Sequence, residues 1–269
     1  MKTVVITGSA RGLGLEMAKV FRSNNVNVVI SDLSEEKLDL AKNELLKINS
    51  KSDVKVCVCD VTKSSDVAGL IEYSKREFGN IDIWINNAGV NQPEKAIWEL
   101  SESEIDLLLD VDLKGTIMCS KLVMEEMIKN KNGAIYNVEG YGSNDAMMLG
   151  LSVYGTSKRA VTYFTSALAK ESAEKNTGVI VGKLSPGIMI TDFIVNALGD
   201  KSRINLSDKT KKVYNILGDY PDVVAKFLVE NILKNTKNNV RIEWLTTAKA
   251  AWRFMTCGFN KRDFFKENK

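Results

Sequence analysis

The sequence contains no histidine, and this one absence removes Ser-His-Asp hydrolysis, Cys-His proteolysis and imidazole-ligated metal sites together. Any acid or base must come from Tyr, Lys, Asp, Glu or Cys. Proline is scarce: Pro93, Pro186 and Pro221 all fall at predicted element ends or loops, so the regular elements run without interruption. The four cysteines, Cys57, Cys59, Cys119 and Cys257, lack metal-like spacing, and a C-x-C on a strand points its thiols to opposite faces. They read as reduced residues in or near the core, with no metal site expected. No window reaches the ~18 uninterrupted apolar residues of a membrane span. Met1 to Thr7 runs straight into an apolar strand, without the charged segment, apolar stretch and cleavage site of a leader. The expectation is a soluble, cytoplasmic protein.

Charge of one sign is also lacking. A net +3 is too small to recommend nucleic acid as a partner. It is unevenly placed, however: from Leu245 onward six basic residues face two acidic ones, so the last 25 residues carry +4 and the remainder −1.

What is present fits one globular α/β domain over residues 1–269, with 44% hydrophobic and 26% charged residues and enough length to bury a large core. Short β-branched runs at Thr3–Thr7, Val26–Ser31, Val54–Cys59, Ile81–Asn86, Gly133–Val138 and Val179–Leu184 alternate with helical stretches. That alternation predicts a doubly wound parallel β-sheet with helices on both faces, a Rossmann-type fold. Ser101-Glu102-Ser103-Glu104 is a capping box opening a long helix, which Asn130, Asn132 and Gly133 close.

The first strand ends in Thr7-Gly8-Ser9-Ala10-Arg11-Gly12-Leu13-Gly14. Glycines at 8, 12 and 14 let the backbone turn tightly and approach a pyrophosphate, whose charge then meets the open N–H groups of a helix N-terminus. Asp32, with Leu33 after it, lies at the end of the second strand, where a carboxylate accepts hydrogen bonds from adenosine ribose hydroxyls. It would repel a 2′-phosphate by several kcal/mol at ~4–5 Å and an effective dielectric of ~20. NAD(H) is therefore favoured over NADP(H), with the Arg11 guanidinium as the counter-argument.

Tyr154 and Lys158 stand four apart, on one face of a helix. A free phenol titrates near ~10. One ammonium at ~4–5 Å and dielectric ~20 supplies ~3–4 kcal/mol, or ~2–3 pK units, so Lys158 is expected to bring the phenol's titration most of the way to neutral pH, and the charge of an oxidised nicotinamide adds the rest. Such a pair serves hydride transfer without metal or histidine.

Thr7-Gly8-x-x-x-Gly12-x-Gly14, Asp60-Val61, Asn86-Asn87-Ala88-Gly89, Tyr154-x-x-x-Lys158 and Pro186-Gly187-x-x-x-Thr191 occur in the order and spacing of the short-chain dehydrogenase/reductase family. The resemblance covers residues 1–192 closely and the rest loosely. It implies a cofactor held by Gly8, Ser9, Arg11, Gly12, Leu13 and Gly14, with Asp32, Leu33, Asp60 and Val61 around the adenosine. It further implies Asn87, Ala88 and Gly89 in the cleft, and Pro186, Gly187, Ile188 and Thr191 near the nicotinamide. Tyr154 would donate a proton to a carbonyl or take one from an alcohol, and Lys158 would also bind the nicotinamide ribose. A homo-oligomer, dimer or tetramer, is expected from the resemblance alone.

Two positions depart from the family pattern. Asn137-Val138-Glu139-Gly140-Tyr141-Gly142-Ser143 lacks the usual Ser-Ser after the fifth strand, leaving Ser143 as the candidate substitute. This stretch resembles the branch containing chlorophyll b reductases and their uncharacterised bacterial relatives. Asp112 stands where the family usually has a helix-bending Asn; without an amide donor and with a negative charge, it would support Lys158 yet raise the phenol.

Scattered apolar residues between Asp192 and Asp219 predict a mobile helical lid over residues 192–219. With Met147, Met148, Leu149 and Leu151 they suggest a hydrophobic, cyclic or steroid-like alcohol or ketone, as in hydroxysteroid dehydrogenases. The basic aromatic extension at 246–269, with Trp252, Met255, Phe259, Phe264 and Phe265, suits packing over the pocket or a subunit better than contact with a membrane surface. A redox sensor that binds dinucleotide with little turnover is the second reading, favoured by the altered serine and by Asp112.

Overall fold

The structure, a computed structural model, describes residues 1–189, 208–259 and 262–265. Its first half runs β1 (Thr3–Thr7), α1 (Gly12–Ser23), β2 (Asn27–Asp32), α2 (Glu35–Leu46), β3 (Val54–Val58), α3 (Ser64–Phe78) and β4 (Ile83–Asn86). Next come α4 (Glu102–Leu108), a π turn (Leu109–Gly115), α5 (Thr116–Asn130), β5 (Gly133–Val138), α6 (Ser152–Glu174) and β6 (Val179–Ser185). The last elements are α7 (Asp208–Leu217), α8 (Pro221–Lys234), β7 (Arg241–Glu243) and α9 (Thr247–Thr256).

Every residue of β1 is buried, and its side chains alternate between two cores, as a strand covered on both faces requires. Val4 and Ile6 join a core with α1, α2 and α8, through Phe21, Leu38 and Leu228. Val5 joins the opposite core with α3 and α5, through Leu70 and Val123. Cys59 and Cys119 lie in this second core, and burial pushes the Cys59 thiol up to about 12; all four cysteines are free.

The strands form one sheet in the order β3-β2-β1-β4-β5-β6-β7, each neighbour pair parallel. Winding reverses between β1 and β4, which opens a crevice beyond the carboxyl ends of these strands. The six strands expected from sequence are all present, with ends differing by two residues at most. β7 is the addition; only Ile242 of its three residues is buried, too little for a period-two signal.

The capping box forms as expected: Glu104 donates its N–H to Ser101 Oγ at 3.2 Å, and Ser101 donates its N–H to Glu104 Oε2 at 2.8 Å. The helix it opens continues from α4 to α5 through the π turn, and Lys131, left-handed at φ 48°, closes it.

Under the crevice lies a chain of buried polar groups. Trp84 Nε1 donates to Asn86 Oδ1 at 2.7 Å, Asn86 Nδ2 donates to Ser120 Oγ at 2.9 Å and to Asn137 Oδ1 at 2.7 Å. Asn137 Nδ2 then donates to Thr165 Oγ1 at 2.9 Å. Two strands and two helices are thereby fixed relative to one another.

The carboxyl-terminal segment folds back on α7. Asp219 is the hub: it accepts from Trp244 Nε1 at 2.6 Å and pairs with Arg253 at 2.7 Å and Arg262 at 3.0 Å. Phe264 meets Tyr220 edge-on at 5.0 Å, and Phe265 stacks on Tyr214 at 6.3 Å. Of the expected lid, residues 192–207 lie outside the described residues and 208–217 form α7. No helix among the described residues is long and apolar enough to cross a membrane.

Asn137→Leu keeps size but removes one hydrogen bond each from the buried Asn86 amide and Thr165 hydroxyl, which retain Ser120 and the Val161 carbonyl; the expected loss is about 2–4 kcal/mol of stability, measured by urea denaturation. An unchanged urea midpoint would contradict the role given to this chain.

Candidate active site

The glycine turn is packed tightly against the loop after β4 at Gly8 and Gly14 and is open at Gly12. Gly8 has φ +60°, and a Cβ there would lie 2.6 Å from Ala88 Cα; one at Gly14 would lie 2.6 Å from Asn87 Nδ2 and 2.7 Å from the Gly8 carbonyl. Gly12, at φ +59°, faces open space. Helix α1 starts without a side-chain cap and without an acidic residue in its first turn, so its free N–H groups present a positive end. A pyrophosphate fits this combination.

The surrounding residues divide into those that shape the turn and those that face outward. Ser9 is fully buried: its hydroxyl donates to the Ile6 carbonyl at 2.6 Å and accepts the Ser31 N–H at 3.0 Å, so its side chain joins β1 to β2. Leu13 belongs to the core, leaving its backbone for the cofactor. Arg11 is exposed. Asn87 Nδ2 donates to the carbonyls of Thr7 and Gly8 at 3.0 and 2.8 Å, and Thr7 Oγ1 accepts the N–H groups of Asn87 and Ala88, both at 3.1 Å. These bonds lock the loop after β4 to the glycine turn.

Asp32 Oδ2 accepts the Ala10 N–H at 3.3 Å and Oδ1 accepts the Leu33 N–H at 2.8 Å, which holds the carboxylate beside the turn with Leu33 exposed next to it. Asp60 accepts the Thr62 hydroxyl at 2.7 Å; this bond, with further help from Lys63, holds its carboxyl below the usual carboxylate range. Val61 is buried against Gly115, where a Cβ would lie 3.1 Å from Val61 Cγ2. Gly187 takes φ +73°, packed so that a Cβ would meet Leu245 Cβ at 2.6 Å, and follows Pro186 directly after β6. The Ile188 carbonyl accepts the Asp219 N–H at 3.0 Å. Thr191 lies outside the described residues.

Tyr154 and Lys158 sit on the first turns of α6, both buried at 7% exposure, with Lys158 Nζ 5.5 Å from the Tyr154 ring centroid. Lys158 Nζ is also 2.8 Å from Asp112 Oδ2. Asp112 occupies the π turn and has no exposure; its Oδ1 accepts the Val90 N–H at 2.7 Å. Single π turns of this kind recur at functional sites. Gly89 keeps the space above the pair clear, since a Cβ there would lie 3.3 Å from Asp112 Oδ1 and 3.5 Å from Lys158 Nζ.

This geometry corrects the expected titration of the phenol. Burial pushes Tyr154 up, Lys158 pulls it down and Asp112 pushes it up again, with a net rise above the ordinary phenol value. The rise expected from Asp112 is thus joined by the loss of water, which helical spacing alone does not reveal. For Lys158, burial opposes the charged form, but Asp112 and Tyr154 together outweigh it and raise the amine above its usual value.

The loop after β5 completes the pocket in ways the sequence did not announce. A Cβ on Gly140 would overlap the Tyr154 hydroxyl and lie 3.0 Å from Tyr154 Cζ, so glycine is what lets the phenol reach this position. Ser143 is buried; its hydroxyl accepts the Gly140 N–H at 3.2 Å and approaches the Lys158 carbonyl as donor at 3.4 Å. It fastens the loop to α6. Glu139, also buried, accepts from Thr162 Oγ1 at 2.7 Å and pairs with Arg241 at 2.7 Å, tying the end of β5 to α6 and β7.

Gln92 is the other residue missed. It is 1% exposed; its Oε1 accepts the N–H groups of Val153 and Tyr154 at 3.0 and 2.9 Å, and its Nε2 donates to the Gly150 carbonyl at 2.7 Å. Helix α6 has no cap from its own N-cap residue, Leu151, so this distant amide supplies one and fixes the backbone of Tyr154. Of the apolar residues expected around the pocket, Leu151 packs with Tyr154 and Leu108, while Met147 and Leu149 are almost fully exposed on the same loop.

Known proteins resemble this chain in sequence and fold. The family model described as short chain dehydrogenase matches residues 2–201. The chain is 30% identical over 282 residues to the probable chlorophyll(ide) b reductase NYC1, chloroplastic, of Arabidopsis thaliana, covering 99% of this chain and 55% of that protein. It is 33% identical over 261 residues to chlorophyll(ide) b reductase NOL, chloroplastic, of Oryza sativa subsp. japonica, covering 94% and 74% respectively. The chain thus spans about half the length of the NYC1 relatives. Among solved structures, levodione reductase superposes with a TM-score of 0.81 at 22% identity, covering 93% of this chain and 98% of that one, a likeness of fold.

Gln92→Ala leaves two N–H groups at the start of α6 without their acceptor. The expected cost is about 1–2 kcal/mol in chemical denaturation. Equal stability of Gln92→Ala and the parent would remove the capping role.

Proposed function

The chain belongs to the short-chain dehydrogenase/reductase family, and from that premise we propose that it interconverts an alcohol and a carbonyl on a bulky apolar substrate, using NAD(H) in preference to NADP(H). The observation that carries this reading is the buried Tyr154–Lys158 pair beside the glycine-turn crevice. NAD(P)-dependent oxidoreductase chemistry follows from the family; substrate, cofactor preference and the roles of single residues are our proposal.

When bound, the dinucleotide supplies or takes up a hydride. The backbone of Gly8 to Gly14 and the start of α1 bind its pyrophosphate, and Asp32 accepts from the adenosine ribose. Tyr154 Oη gives its proton to the carbonyl oxygen in reduction and takes one back in oxidation. Lys158 keeps the phenol oriented and offers donors to the second ribose. Ser143 acts through the loop it fastens, and Asp112 through Lys158.

The relatives named for chlorophyll(ide) b shift the proposed substrate away from a steroid-like compound toward a large tetrapyrrole-like carbonyl compound. Exposed Met147, Leu149 and Trp98 support an apolar ring system of that size, because polarizable and flat side chains adapt to extended apolar surfaces. A cytoplasmic location and a homo-oligomer remain parts of the proposal. The dinucleotide sensor is kept as a second reading because the Ser143 hydroxyl is engaged with backbone groups on both sides.

The deciding experiment follows nicotinamide absorbance with NADH and NADPH in parallel across tetrapyrrole, cyclic-ketone and aldehyde substrates. Tyr154→Phe should lower turnover by at least about 100-fold, the range of a lost general acid; unchanged turnover would overturn the mechanism. Tight dinucleotide binding without turnover on any class would favour the sensor. Asp32→Ala should raise the NADPH-to-NADH ratio of kcat/KM about ten-fold or more, through relief of like-charge repulsion, and an unchanged ratio would overturn the cofactor preference.

A further inference from the structure

We propose that Asp112 is a positioning residue that keeps the Tyr154 phenol protonated through the neutral and mildly alkaline range, so that the site is poised to reduce a carbonyl. This rests on the oxidoreductase reading above and adds a direction to it. The geometry behind it is a buried group of three ionisable side chains: Asp112 without exposure and Lys158 and Tyr154 nearly so. Asp112 Oδ2 lies 2.8 Å from Lys158 Nζ, and its Oδ1 is fixed by the Val90 N–H at 2.7 Å.

Counting charge in this dry group gives the direction. With the phenol protonated, the ammonium and the carboxylate cancel and the group is neutral. Removing the phenol proton would leave a net charge of −1 where solvation is poor, which is costly. With a neutral residue at 112 the count reverses: the protonated pair carries +1, and loss of a proton makes it neutral. The proton held by the pair is then released at lower pH.

Among the described residues, the loops packed against the group present backbone and glycine to it. The loop after β4 presents Gly89 and the Val90 backbone, and the loop after β5 presents Gly140. The adjacent carboxylate, Glu139, is turned to Arg241 and Thr162. The direction of the phenol shift worked out from burial and neighbours agrees with the count.

In the forward step the substrate C=O π pair moves onto oxygen as hydride arrives at carbon, and the oxygen takes the Tyr154 proton, giving an alcohol and a phenolate. Solvent water then returns a proton to the phenolate. A phenol that is protonated before hydride arrives is the required ground state for this direction, and Asp112 holds it there.

The test uses the full chain labelled with 13C at tyrosine Cζ, without dinucleotide. The Tyr154 resonance is identified by its loss in Tyr154→Phe and followed against pH in the parent, Asp112→Asn and Asp112→Ala. Asn retains an oxygen for the Val90 N–H, and Ala removes the charge without setting an amide against the ammonium, so one variant covers for the other if either fails to fold. The expected result is an ionisation midpoint about one pH unit or more lower in the folded variant than in the parent, a ten-fold change in proton affinity. The alkaline limb of kcat/KM for carbonyl reduction should move in the same direction. An equal or higher midpoint in the variants overturns the proposal. Absence of carbonyl turnover in the parent would overturn the oxidoreductase reading instead, and the resonance midpoints would still decide the role of Asp112.

Discussion

The interaction on which the rest of the site depends is the buried ion pair between Lys158 and Asp112, 2.8 Å apart. Two charges are removed from water there, which costs several kcal/mol per ion unless geometry and hydrogen bonds compensate. Several features of the chain serve that compensation. The π turn carries the carboxylate into the pocket, the Val90 N–H takes its second oxygen, and Gly89 leaves the room a side chain would fill. Losing either partner would leave the other as an unpaired buried charge, a far larger penalty than the pair itself represents.

Around this pair the fold supplies rigidity rather than further chemistry. The polar chain from Trp84 through Asn86 and Asn137 to Thr165 joins β4 and β5 to α6, the helix that carries Tyr154 and Lys158. Gln92 caps the same helix from the loop after β4, and Ser143 and Glu139 bind it from the loop after β5. The Tyr154 phenol is thus approached from both sides of the strand pair that borders the crevice. Such redundancy suits a site whose geometry must hold before the substrate arrives.

Much of this was legible in the sequence, and what was missed shares a cause. β-Branched runs gave the sheet because strands buried on both faces read as continuous apolar segments, while β7 escaped through being three residues long. The glycine turn and the Tyr154–Lys158 spacing were visible because both are local, set by residues a few positions apart. Gln92 and Glu139 were not, since their partners lie 61, 62 and 102 residues away. The net direction of the phenol shift was misjudged for the same reason: spacing reveals the ammonium and the family position reveals the opposing Asp112, whereas loss of solvent exists only after folding. Asp112 stood out in the sequence as a departure with the sign of its effect on Lys158 and Tyr154, while its complete burial and its 2.8 Å distance from Lys158 come only with the fold.

The central claim is that hydride and proton reach one carbonyl group in this crevice, the first from the dinucleotide and the second from Tyr154. The most direct measurement is isotopic: reduction with dinucleotide deuterated at the transferable position of the nicotinamide, with the product analysed by mass spectrometry and NMR. One deuterium should appear on the carbinol carbon and none from solvent at that carbon, with a slower rate in heavy water for the proton delivered by Tyr154. A product whose carbinol hydrogen came from solvent would contradict the account.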